Sequence, residues 1–366
     1  MDYKYYNVSI TNKETRIDKE ASIHVRLAGT LLEKPEDYKM MIQKFSIDAE
    51  SIPITIIELK NPQTVKTQNW ETIHNVYVSD GNGNIASANV LFNNTRIPNN
   101  PPKPRKVEAG MGYYNNRDNY FFVYNYTHLL KMINNAIANA FSQLYPTELN
   151  IPKFVYDPIS QLITIFYPQS IFSSSTPQPM IYFSLSLFKY IGEGFTGSII
   201  STGAVPGINE NIYTIEITNS SINTPQTDST WITMPQTYKA ITTFSTINAI
   251  LIQSNTLPIR AEFFPSNYEG YSLSGSNSEE NYTNMNAFPI ISVFYPYSSD
   301  AGDFRGKIIY SNDSLRDGDL IDLRGTNNLN ELHIGVYFTD NYNNIYPLRL
   351  LPGKTVNIRL AFIKTK

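Results

Sequence analysis

The sequence predicts an all-β protein, a sandwich or barrel of antiparallel strands interrupted by a mixed α/β insertion. Short stretches alternating apolar and polar residues recur between turn signals, in one group before residue 60 and a larger group after residue 237. Aromatic residues make up 13% of the chain, as 26 Tyr and 19 Phe against 2 Trp, and Tyr and Phe suit pleated, half-buried surfaces. The helices that parallel strands would need between them are missing from both groups, which leaves antiparallel pairing.

The first group opens with strands at 4–10 and 21–27, where Ile23, Val25 and Leu27 alternate with Ser22, His24 and Arg26. Residues 35–48 carry a Pro-Glu-Asp turn, then Tyr38, Met40, Ile42 and Phe45, an alternation that slips by one residue. A strand with an irregularity is favoured there over a short helix. Residues 52–59 are β-branched, and Pro53 points to an edge or a strand start.

The texture changes over 61–236, which is read as the insertion. Val76 and Val78 mark one strand and Val90 to Phe92 another. Between them Asp80, Asn82 and Asn84 have the spacing of a calcium loop. Ile85 stands where that loop needs Gly and Leu91 where it needs Glu, so a hairpin turn is the better reading. Residues 98–106 form a basic, Pro-rich, extended segment. A strand at 120–126 leads into a helix over 127–144, where Leu130, Ile133, Ile137, Phe141 and Leu144 form one apolar stripe. Asn125 or Thr127 caps its start and Pro146 blocks continuation. Residues 154–167 read as a hairpin turning at Asp157-Pro158, 181–184 as a strand, and 185–192 as a short helix capped by Gly192. The Gly/Ser-rich stretch 193–211 reads as loop, followed by strands at 213–218 and 230–234.

Strands return at 244–254, 259–264, 288–295 and 306–311, with a short extended piece at 320–323 and a Ser/Asn/Gly-rich loop at 266–286. At the end, Leu332, Ile334, Val336 and Phe338 alternate with His333, Gly335 and Tyr337. After a short strand at 346–350 and a Pro352-Gly353 turn, Val356, Ile358, Leu360 and Phe362 alternate with Asn357, Arg359 and Ala361. These strands are expected to close the fold. The expected division is therefore 1–60 and 237–366 for the β-sandwich and 61–236 for the insertion.

Net charge is −3 from 29 basic and 32 acidic residues, which argues against a bulk nucleic-acid binder. There are no cysteines, so disulfides, thiolate zinc sites and cysteine nucleophiles are excluded, and assembly in a reducing compartment is expected. The start lacks the apolar core of a signal peptide, and no run approaches a membrane span. His24, His74, His128 and His333 are too scattered to suggest a metal site, and no nucleophile elbow, P-loop or dinucleotide fingerprint occurs. The densest charge group is Asp313, Asp317, Asp319 and Asp322 with Arg316 and Arg324, whose interleaving favours ion pairing or an intersubunit contact over calcium. Trp70 and Trp231 are the candidates for a sugar platform. Tyrosine-rich stretches at Gly112 to Tyr114 and Tyr268 to Tyr271 offer further aromatic faces. No catalytic residue, cofactor site or metal site is assigned, and an enzyme is not expected.

Residues 247–265, 305–313 and 320–364 together resemble the penton, or minor capsid, proteins of virophages and Polinton-like viruses. The residues that carry the likeness are Phe338-Thr339-Asp340, Pro347-Leu348, Pro352-Gly353 and Phe362 with Lys364. In the middle, Ile133-Asn134 on a helix, the hairpin at 154–167 and the segment 181–192 are similar too. Phe338 departs from the pattern, which has Trp there in many members. The resemblance implies a single jelly roll with a large insertion, without enzymatic activity. It implies a homopentamer at the fivefold vertices of an icosahedral virion, made in the host cytoplasm, in contact with a double jelly-roll major capsid protein. A jelly-roll attachment or carbohydrate-binding protein is the alternative.

Overall fold

A computed structural model describes residues 3–13, 20–58, 70–92, 120–174, 179–192, 194–195, 199–202, 212–215, 230–237, 247–260, 262–263, 287–295, 307–311, 320–340 and 345–365. The chain forms two compact units, one of Met1–Pro53 with Thr246–Lys366, the other of Ile54–Ser245.

In chain order the first unit starts with β1 (Tyr3–Thr11), β2 (Ser22–Arg26) and β3 (Tyr38–Asp48). The second unit holds β4 (Thr55–Glu58), β5 (Trp70–Ser79), β6 (Ile85–Phe92), β7 (Tyr120–Val123), α1 (Tyr126–Leu144), β8 (Lys153–Asp157) and β9 (Leu162–Pro168). It continues with α2 (Gln169–Ser174), β10 (Met180–Ser184), α3 (Leu185–Ile191), β11 (Ile199–Thr202), β12 (Ile212–Ile215) and β13 (Trp231–Pro235). The first unit resumes with β14 (Ile247–Gln253), β15 (Glu262–Phe263), β16 (Ala287–Phe288), β17 (Ile290–Phe294) and β18 (Lys307–Ser311). It ends with β19 (Ile321–Asp322), β20 (Glu331–Asp340), β21 (Ile345–Pro347) and β22 (Thr355–Lys364).

The first unit is a jelly roll. One sheet has the order β1-β22-β3-β18, with β19 added beside β3; the other has the order β17-β14-β20-β2, with β21 beside β20. The described strand pairs are antiparallel, and the chain crosses between the sheets as it returns, the double Greek-key arrangement of this fold. Met40, Ile42, Phe45, Ile47, Val356, Ile358, Leu360 and Phe362 are buried on one sheet; Ile250, Ile252, Leu332, Ile334, Val336 and Phe338 are buried on the other. Phe45 of β3 stacks on Phe294 of β17 at 4.8 Å, joining the layers. The slip seen in the sequence of β3 is a bulge. Arg359 pairs with Lys44 and Leu360 with Ile42, so Gln43 is an extra residue and the buried set changes from even to odd positions there. Strand β22 lies between the first and third strands, and Asn12 fixes the turn before it, its Nδ2 donating to Leu350 O at 2.7 Å.

The second unit has its own core around α1. It contains a five-stranded sheet β11-β12-β10-β5-β6, a three-stranded sheet β13-β9-β8 and the pair β4-β7. Helix α1 touches β5, β6 and β8, so both larger sheets cover it. Its buried face accordingly extends beyond the predicted stripe to Leu129, Met132, Ala136 and Ala140. Asn125 is the N-cap, its Oδ1 accepting from His128 N at 2.8 Å.

Several local expectations change. Strand β4, expected in the sandwich, pairs with β7 in the second unit. Helix α2 and strand β11 appear where none was expected, the latter within the Gly/Ser-rich stretch. Gly192 does cap α3, its N–H donating to Phe188 O at 2.7 Å, but its backbone stays right-handed with φ −75°. Its need for glycine comes from the Phe188 ring, which occupies the place a Cβ would take.

Candidate assembly surfaces

Several of the residues singled out in the sequence make local structural contacts. Asp80 closes the β5–β6 hairpin. Its Oδ1 accepts from Asn82 N at 2.8 Å and Asn84 N at 3.1 Å, and its Oδ2 accepts from Asn84 Nδ2 at 2.6 Å. These bonds, led by the one from the Asn84 side chain, hold its carboxyl below the usual range. Asp157 does the same for the β8–β9 hairpin, accepting from Ile159 N and Ser160 N.

His24 and His333 face each other across β2 and β20, with ring centroids 6.1 Å apart. His24 Nε2 lies 3.7 Å from Glu331 Oε2, with both side chains largely exposed. His333 Nδ1 accepts from Asn255 N at 3.3 Å, and partial burial, then the charge of His24, push its imidazole down. His128 sits in the first turn of α1 against Phe92 at 5.7 Å. Of the acidic group, Asp322 pairs with Lys39 at 3.6 Å, while Asp313, Arg316, Asp317 and Asp319 lie outside the described residues. Among the described residues no group of three or more His, Asp or Glu could hold a metal ion. No helix among them is long and apolar enough to cross a membrane.

His74 comes nearest to a catalytic pair. Its Nδ1 lies 3.0 Å from Ser186 Oγ. The ring is buried, and its Nε2 has no hydrogen-bond partner among the described residues. A nucleophile–base pair works when a third group orients the base from its far nitrogen. Among the described residues no group orients that nitrogen, so they form no such triad.

Of the two tryptophans, Trp231 of β13 has a described side chain. Phe166 meets its ring edge-on at 6.1 Å and Lys153 Nζ sits 4.7 Å over it. The tyrosine stretches at 112–114 and 268–271 and the basic segment 98–106 lie outside the described residues.

What the sequence did not reveal is a distribution. In the first unit the exposed large hydrophobic residues among those described are Tyr3 (37%), Tyr5 (45%), Tyr295 (62%), Ile309 (69%) and Tyr310 (37%). They fall on opposite edges of the sandwich. Tyr3 and Tyr5 lie on β1, one edge of its sheet, stacked at 6.3 Å with Arg359 4.4 Å over the Tyr5 ring. Ile309 and Tyr310 lie on β18, the other end of the same sheet order, and Tyr295 follows β17, an edge of the second sheet. Phe294 and Tyr310, with ring centroids 4.7 Å apart, join β17 and β18 into one apolar wall. Tyr and Arg are the residue types enriched where proteins meet. Alternation in a strand shows which residues share a face, but which strands become edges depends on long-range pairing.

The family model described as Sputnik minor capsid protein V18/19 matches residues 4–364. Two proteins of Sputnik virophage are similar over parts of the chain. Structural protein V19 is 24% identical over 226 residues, 58% of this chain and 94% of its own length. Uncharacterized protein V18 is 28% identical over 156 residues, 42% of this chain and 91% of its own length. Among solved structures, a chain of the Sputnik virophage seen by cryo-EM at 3.5 Å resolution superposes with a TM-score of 0.69 at 24% identity, covering 100% of this chain and 98% of that one. The crystal structure of the mavirus penton protein gives 0.60 at 16% identity, covering 99% of both. Agreement with the family model from the first jelly-roll strand to the last shows that this chain belongs to the Sputnik minor capsid protein V18/19 family.

Proposed function

We propose that the protein builds the fivefold vertices of an icosahedral virion as a homopentamer, with the double jelly-roll major capsid protein as its neighbour in the shell. It acts there by assembly rather than by catalysis, and it is made in the host cytoplasm. The observation that carries this reading is the pair of apolar edges on the jelly roll. A ring built head to tail needs two different faces on each subunit that fit one another. The Tyr3–Tyr5 edge and the Tyr295–Ile309–Tyr310 edge have the required placement. Family membership and the fold shared with the mavirus penton protein support the vertex assignment.

The ring makes a specific demand on mixtures. Tyr3→Ser with Tyr5→Ser breaks one edge; Ile309→Asp with Tyr310→Ser breaks the other. Native mass spectrometry should find pentamers for the wild type and monomers for each double variant alone. The two variants mixed keep one intact contact between unlike copies, so they should stop at heterodimers. Pentamers in either variant, or a wild type that remains monomeric under assembly conditions, would overturn the reading.

Glycan attachment is the second reading, favoured by the Trp231, Phe166 and Lys153 cluster on the three-stranded sheet. A glycan array should then show binding that Trp231→Ala removes, and an array without binding eliminates it.

A further inference from the structure

The second unit contains a buried titratable group that neither assembly nor attachment uses. His74 lies on β5 with 2% of its surface exposed. A directional chain of hydrogen bonds leads to it. Asn75 N donates to Ser184 Oγ at 3.1 Å, Ser184 Oγ lies 3.1 Å from Ser186 Oγ, and Ser186 Oγ lies 3.0 Å from His74 Nδ1. The arrangement that pairs both hydroxyl hydrogens among the described residues runs from Ser184 to Ser186 and ends on Nδ1 as the terminal acceptor. In that arrangement Nε2 is the protonated nitrogen of a neutral ring, buried and without a hydrogen-bond partner among the described residues.

We propose that His74 is a proton-operated latch, and that its protonation in mildly acidic surroundings releases α3 from β5 and opens the second unit. A proton on Nδ1 would turn the terminal acceptor into a donor aimed at Ser186. Ser186 would then have to donate towards Ser184, whose own hydrogen has no other acceptor among the described residues. The chain cannot reverse without leaving a hydroxyl hydrogen unpaired, and the new positive charge would be buried.

Among the described side chains around the ring there is no counter-charge. On its own strand, Glu71 is exposed and three positions away on the opposite side of the alternation. Strand β6 carries no titratable residue. Strand β10 brings Tyr182, whose hydroxyl donates to Met180 Sδ, and α3 brings Tyr190, whose ring meets the imidazole edge-on at 5.3 Å while its hydroxyl donates to Ile56 O. Helix α1 brings Tyr126, whose ring lies tilted against Tyr156 at 4.8 Å, His128, which lies against Phe92, and Lys131, which is exposed. Desolvation alone pushes the His74 imidazole down from 6.5 to about 4.

The direction of the pH effect follows. The folded unit keeps His74 neutral, whereas the opened chain takes up a proton below about pH 6.5. The contribution to stability is therefore complete above that value and is lost as pH falls towards 4. Between pH 7 and pH 5 the opening equilibrium of this unit should rise about 20-fold.

Hydrogen exchange of the full chain, corrected for the intrinsic pH dependence of exchange, reads this directly in the segments 70–79 and 180–192. The wild type should lose protection there by that factor at pH 5, and His74→Phe should lose little. Equal losses in both, or full protection of the wild type at pH 5, would overturn the proposal. Should His74→Phe fail to fold, NMR titration of histidine-labelled wild type decides. The His74 ring should stay neutral down to pH 5 in the closed protein, and a midpoint near 6.5 without opening would overturn it.

Discussion

At Asn134 a single amide ties a helix to a strand. Its Nδ2 donates to Phe154 O and its Oδ1 accepts from Phe154 N, each at 2.8 Å, so one side chain continues the backbone pattern of β8 out to α1. Asn134→Ala leaves both backbone groups without that partner and should cost about 1–3 kcal/mol in urea unfolding monitored by circular dichroism. Asn125→Ala, which removes the N-cap of the same helix, should cost about 1 kcal/mol in the same measurement. The two residues were unequally visible beforehand. A cap is a local signal, written in the residues beside it, and Asn125 could be named from sequence. The partner of Asn134 lies 20 positions away, across a loop, where no spacing rule reaches. His74 is a stronger case: Ser186, 112 positions on, is what ends the hydrogen-bond chain at its ring.

Among the elements, β3 shows how much a strand pattern can carry. Its slip from Ile42 to Phe45 was visible as an irregularity, and the bulge at Gln43 is its physical form. Removing the extra residue leaves the alternation intact, because Ile42 then still points inward, Lys44 outward and Phe45 inward. It also removes a buried amide oxygen, Gln43 Oε1, that has no hydrogen-bond partner among the described residues. Deletion of Gln43 should therefore give a protein that melts cooperatively. Deletion of Asn357 from the regular strand β22 would turn one part of its buried set outward and should abolish the cooperative transition. The elements that escaped the sequence reading share a weakness of signal. Helix α2 has six residues and β11 has four, too short for a period to register, and β11 is recruited by pairing with β12 rather than by its own composition. The edge character of β1 and β18 was hidden for another reason, since it belongs to the sheet order.

For the whole molecule, the closing strand is the decisive part. Strand β22 pairs with β1 on one side and β3 on the other, so removing residues 356–366 takes the centre out of its sheet. That truncation should leave the first unit without a cooperative melting transition, as read by calorimetry. Residues 54–245, which hold a separate core, should melt cooperatively when expressed alone. Strand grouping and the family resemblance made the jelly roll legible. The place where the units divide was less so, because β4 looks like any other β-branched strand until β7 pairs with it.

The position of β22 also sets a timetable during synthesis. Thr355 N donates to Asp48, 307 positions earlier in the chain. At about 5–20 residues per second, a nascent chain waits roughly 15–60 s between translating one partner and the other. Through that interval β1 and β3 have left the ribosome while the strand that belongs between them does not yet exist. The unit encoded in the middle of the message is complete earlier. The jelly-roll unit is therefore the last to mature, and its unfinished sheet is the surface that a holding chaperone would meet.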